Sequence, residues 1–199
     1  SQYLLAIQCA GSTPPQETGL TYNSWFGKYH LEMIWWHQAW QPLWGHPELL
    51  SHTLEWYKTV EPIAREVARR QGFDGIRWMK MTDPSGTEAP SKVGSFLIWQ
   101  QPHLIYLAEL LYRANPSEEL LKKYNSLIQE TAEFMYSFAT YEEEHDRYVL
   151  KGAIPARKRC APPKLSIRLL NFHIGISPCK LPKHGVNVQG WNVYPNGMC

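Results

Sequence analysis

Along most of the chain, apolar residues recur every three or four positions, and that rhythm predicts helices. In "HLEMIWWHQAW", residues 30–40, apolar side chains at 31, 34, 35 and 39 fall on one face, and Pro42 and Gly45 end the segment. A second helix is expected from Glu48 to about Tyr57. A third runs from Pro62, acceptable at a first helical position, to Gln71, with Gly72 closing it. "FLIWQQPHLIYLAELLYRA", residues 96–114, is apolar around most of its circumference and reads as a buried helix with Pro102 near its start. Next, Asn115, Pro116 and Glu118 match a capped helix start, and apolar residues at 120, 124, 127, 128, 135 and 138 form one stripe. No useful strand-like alternation precedes Glu142. The expected class is all-α, built of antiparallel helical hairpins whose long loops gather at one end, followed by an irregular C-terminal tail.

Charge divides the chain. Of its 20 Lys and Arg, seven lie between Arg157 and Cys199, where there is no Asp or Glu, so residues 1–156 carry −5 and the remainder +7. The basic part lacks the interleaved aromatics of a nucleic-acid surface, and no apolar run is long enough to cross a membrane. Three of the four cysteines (160, 179, 199) also lie in the tail, so there is no disulfide framework and the compartment cannot be read.

Candidate chemistry lies in residues that helix packing does not need. Trp25, in "TYNSWFGKYH" ahead of a helix, sets a flat apolar ring beside Asn23, Lys28 and His30. Sugar sites use this combination, a ring against the C–H face and polar groups on the hydroxyls. Glu32 is expected two residues into the helix, near Trp36 and among bulky neighbours, where its carboxylate needs a partner. Arg77, Lys80, Asp83 and Glu88 alternate with apolar anchors in a Gly- and Pro-rich loop, residues 72–95. Gln100, Gln101 and His103 bring two amides and an imidazole to the start of an apolar helix. His30 and His37 are seven apart, but no third ligand follows at metal spacing and HExxH is absent, so neither a metal nor a cofactor is expected.

Three stretches, "QETGLTYNSWFGKYHLEMIWWH", "GIRWMKMTDPSGTEAPS" and "FLIWQQPHLIYLAELLYR", carry a resemblance across residues 1–156. They look like barrel segments of the six-hairpin glycosidases, the superfamily of maltose and kojibiose phosphorylases and α-L-fucosidase-type hydrolases, and more closely like a bacterial glycoside hydrolase-like branch. The resemblance implies a partial (α/α)6 toroid with a carbohydrate partner. It also implies that Trp25 and Glu32 bind the reacting sugar, that residues 77–88 form a rim, and that the general acid follows Tyr148. A non-catalytic helical carbohydrate-binding or scaffold module is the alternative. An α-toroid of lyase or prenyltransferase type would need acid clusters for metal, which the sequence does not carry.

Relatives are expected to read "IPAQE" where this chain reads "IPARK", residues 154–158. One base restored ahead of Arg157 turns Arg157-Lys158-Arg159-Cys160, on a permitted choice of codons, into Gln-Glu-Thr-Leu. The same shift carried to the end gives an amphipathic peptide with the body's charge balance. Residues from about Arg157 onward therefore read as an out-of-frame translation of a glycosidase fragment, with the general acid lost and no turnover expected.

Overall fold

The computed structural model describes residues 1–19 and 22–153. The expectations for residues 157–199, an irregular out-of-frame tail, lie outside the described residues. Helices dominate, joined by three two-stranded antiparallel sheets. The elements in chain order are α1 (Gln2–Cys9), β1 (Thr18–Gly19), β2 (Tyr22–Asn23), β3 (Tyr29–His30), α2 (Ile34–Gln38), α3 (Trp40–Leu43), α4 (Pro47–Arg70), β4 (Met81–Thr82), α5 (Gln101–Ala114), α6 (Glu118–Phe138), β5 (Thr140–Glu142) and β6 (Arg147–Val149). β1 pairs with β2, β3 with β4 and β5 with β6. Most of these strands are two residues long, too short to leave an alternating pattern in sequence.

The long helices form the core. Leu50, Leu54, Tyr57, Val60, Ala64 and Val67 make one buried stripe along α4 that passes straight through Pro62. The expected break at Pro62 is therefore absent. The proline removes one hydrogen bond, but apolar burial on both sides, worth about 1.5–3 kcal/mol per large side chain, outweighs the loss. α5 is buried around most of its circumference and packs on α2, α3, α4 and α6. It starts at Gln101, later than expected, because Gly94–Phe96 forms a single 3-10 turn. The α6 cap is Ser117, whose hydroxyl accepts from Leu120 N at 3.1 Å. The expected Asn115 instead ends α5.

Ion pairs and hydrogen bonds fix the helix directions. Tyr124 Oη donates to Glu55 at 2.6 Å, and Arg65 Nε donates to Glu130 at 2.9 Å, so α4 and α6 run parallel. The three residues between α5 and α6 turn the chain back, which makes that pair an antiparallel hairpin.

Two glutamines lock the connection between α4 and α5 onto this core. Trp78 N donates to Gln101 Oε1 at 3.2 Å. Trp78 O accepts from Gln100 Nε2 at 3.0 Å and Gln101 Nε2 at 2.6 Å. The indole of Trp78 donates to Thr131 Oγ1 at 3.0 Å and meets Tyr57 edge-on, with centroids 4.7 Å apart. Nearby, Gly75 has φ +70, and a Cβ there would lie 2.1 Å from Glu130 O and 2.6 Å from Phe134 N.

Gly75→Ala is expected to destabilise the protein by about 3 kcal/mol or more, through left-handed strain and displacement of α6. Urea unfolding checks this, and a change within about 0.5 kcal/mol would contradict it.

Candidate functional site

The segment after Tyr29 departs from the expected helix. Residues 29–30 form β3 against β4, with Tyr29 opposite Thr82 and His30 opposite Met81, and Glu32 N donates to Lys80 O at 3.3 Å. Helix begins only at Ile34, so His30 and Glu32 precede it, and the break comes at Gly45 (φ +85), after Pro42 has been taken into α3. Backbone pairing wins here because the loop after Trp78 lies alongside, supplying donors and acceptors that a first helical turn would leave unmet.

This crossing gathers an ionisable cluster. Lys80 Nζ lies 2.9 Å from Glu32 Oε1, and both side chains are nearly buried. His30 Nδ1 is 3.5 Å from Glu32 and 3.7 Å from Glu17, and Glu17 Oε2 is 3.4 Å from His37 Nε2. Glu17 is carried in by Gln16, which bridges to Tyr29, by its own N donating to Lys28 O at 3.1 Å, and by Ser24 Oγ donating to its carbonyl. Over the cluster lies Trp25, 57% exposed, with Lys80 Nζ 5.5 Å from its ring centre and the His30 ring also at 5.5 Å. Trp25 and Phe26 have φ +50 and +61, a conformation costing on the order of 1–3 kcal/mol each.

Several buried polar atoms here make no hydrogen bond: Glu17 Oε2, both ring nitrogens of His30, Nδ1 of His37, and the indole nitrogens of Trp35 and Trp99. His30 is only 4% exposed. Buried polar groups normally find partners, so hydrogen-bonding capacity at this cluster exceeds what its own side chains use. Beside them, Trp36, half exposed, meets Trp99 edge-on at 5.6 Å and His103 at 6.3 Å; Nδ1 of His103 lies 3.2 Å from Leu31 O, between the two site residues His30 and Glu32.

Of the residues expected from sequence, Trp25, His30, Glu32 and Lys80 meet directly, with Trp36 and His103 alongside. The others do not join them. Gln100 and Gln101 are occupied by Trp78. Arg77 is buried, bonded to Gln71 Oε1 and Ser95 O and stacked over Phe134. Asp83 closes its own turn, accepting from Ser85 Oγ, Thr87 N and Ser85 N, and those bonds, the hydroxyl's first, hold its carboxyl below the usual range. Glu88 is exposed and bridges back to Thr82.

Glu17 was not legible from sequence, because nothing in "QETG" connects it to residues 30 and 37. His37 was legible only as a heptad partner of His30, whereas the two imidazoles meet through Glu17. Among the described residues, no group of three or more His, Cys, Asp or Glu could hold a metal ion, and no helix is long and apolar enough to cross a membrane. The grooves at Tyr3, Trp40, His46 and Leu49, about 250 Å³, and along β5–β6 contain no residue of the cluster. No protein-family model matches the chain, and comparison with curated proteins finds no match.

Burial, then the positive charge of Lys80, and then His37 and Lys28 push the His30 imidazole down from 6.5 to about 4. The carboxylates within 4 Å favour its charged form, but burial and Lys80 outweigh them. Burial likewise lowers His37, and burial and the Glu32 charge raise Glu17. Between about pH 6.5 and 4 the native protein therefore binds fewer protons at His30 than the unfolded chain. Stability present above 6.5 is lost as pH falls through that window. Glu17 acts with the opposite sign: its contribution is present at low pH and lost as pH rises through its elevated value.

Lowering the pH from about 7.5 to about 5 is expected to remove on the order of 2 kcal/mol through His30, and His30→Gln to flatten that slope. Urea unfolding at the two pH values checks it, and equal slopes in both proteins would contradict it.

Proposed function

We propose that residues 1–153 present a carbohydrate-binding face of glycoside hydrolase-like type, belonging to a partial (α/α)6 arrangement of helical hairpins. What carries this reading is one juxtaposition: the exposed ring of Trp25 lies over a buried Glu32–Lys80 pair and an imidazole whose nitrogens make no hydrogen bond. A pyranose offers the matching surface, an apolar C–H face for the indole and a rim of hydroxyls that both donate and accept. Glu32 accepts from a hydroxyl, Lys80 donates to one, and neutral His30 does either according to its tautomer. Their mutual pairing holds both charges in place before a sugar arrives, so little ordering remains to oppose binding.

Glycosidic cleavage needs an acid to protonate the leaving oxygen and a second group to activate water or to attack. By resemblance the acid follows Tyr148, where this sequence reads Ile154-Pro155-Ala156-Arg157-Lys158. This chain is therefore proposed to bind sugar without turning it over.

Isothermal titration with methyl glycosides of glucose, galactose, mannose and L-fucose tests the reading. At least one is expected to bind in the millimolar range, about −4 kcal/mol, and Trp25→Ala to weaken it by about tenfold or more with unchanged thermal stability. Aryl glycosides of the same sugars are expected to release no phenol. Unaltered binding by Trp25→Ala would overturn the sugar face, and phenol release would overturn the absence of turnover.

A further inference from the structure

Glu17 differs from the other acid in the cluster. Glu32 has Lys80 at 2.9 Å, whereas the basic groups within 4 Å of Glu17 are two imidazoles, His30 at 3.7 Å and His37 at 3.4 Å, both pushed toward neutrality. The nearby cations are engaged elsewhere: Lys80 Nζ is paired with Glu32, and Lys28 Nζ donates to Pro90 O at 3.2 Å. Glu17 Oε2 is enclosed and makes no hydrogen bond, while the side chain as a whole stays 19% exposed. Its backbone is stitched to Lys28 and Ser24, so the carboxyl is held in place and does not swing freely. Buried beside it, His30 is 4% exposed, and neither of its ring nitrogens makes a hydrogen bond.

We propose that Glu17 is a specificity-determining residue of this site: its carboxyl receives one particular hydroxyl of an uncharged sugar, with the His30 imidazole as the second partner of that hydroxyl. The proposal rests on the sugar-binding reading above and adds to it a named residue and a ligand class. A hydroxyl both donates and accepts, so it suits a carboxyl beside a neutral imidazole. A carboxylate on the ligand would meet Glu17 and Glu32 with no unengaged cation beside it, so acidic sugars are disfavoured. A site built to hydrogen-bond a hydroxyl strongly rejects the analogue without it, because its own polar groups are then left unmet.

The test uses the full chain, the methyl glycoside that binds it best, the complete set of mono-deoxy forms of that glycoside, and the matching uronide. For the unmodified protein, one deoxy form is expected to bind about tenfold or more weaker than its parent, and the uronide weaker still. In Glu17→Ala the gap between the parent and that deoxy form is expected to shrink, leaving only the part due to His30. Glu17→Gln, which keeps the side-chain volume, should narrow the same gap and carries the test if the alanine variant does not fold. A gap that stays undiminished in both variants, the lack of any such gap in the unmodified protein, or a uronide that binds as well as the parent would overturn the role of Glu17 while leaving the Trp25 result standing. If no glycoside binds, or Trp25→Ala binds normally, the sugar reading itself falls and this proposal with it.

Discussion

Where residues 29–32 cross residues 80–82, two backbone segments far apart in sequence pair, and Lys80 meets Glu32 at 2.9 Å in a nearly dry environment. Either charge alone at that depth would cost several kcal/mol, so each requires the other. The backbone pairing supplies that meeting and at the same time brings His30 and Trp25 onto one face. Without it, Glu32 would be an ordinary helix-start acid and Lys80 an ordinary loop lysine.

The crossing is held from behind by the helical core. Gln100 and Gln101, at the start of α5, bond both backbone groups of Trp78, two residues before Lys80, and Thr131 of α6 bonds its indole. Gly75 lets the same loop pass against Glu130 with no room for a side chain. A loop rich in Gly and Pro thus becomes a rigid support. A polar site gains from this, because binding then orders few groups that were not already ordered.

Much of the helical scaffold was readable from periodicity, including the buried circumference of α5 and the stripe of α6. What misled was local chemistry overridden at a distance. Pro62 looks like a helix start, but its buried stripe continues on both sides. His30 and Glu32 sit in a helical pattern, yet a neighbouring strand claims their backbone. At the site, Trp25, Glu32 and Lys80 stood out because bulky or charged residues sat where packing did not need them. Gln100, Gln101 and Arg77 stood out for the same reason but serve the core, since sequence shows that a polar group needs a partner without showing which partner it finds. Glu17 left no trace because its role depends on a three-dimensional approach to two histidines.

The most direct measurement follows the indole N–H resonances, assigned by single Trp→Phe variants, while a methyl glycoside is titrated into the protein. The indole of Trp56, bonded to Pro84 O, provides an internal reference. The account predicts that the Trp25 resonance shifts and saturates while that of Trp56 stays in place. A saturating shift at Trp40 or Trp44 with Trp25 unmoved would contradict it.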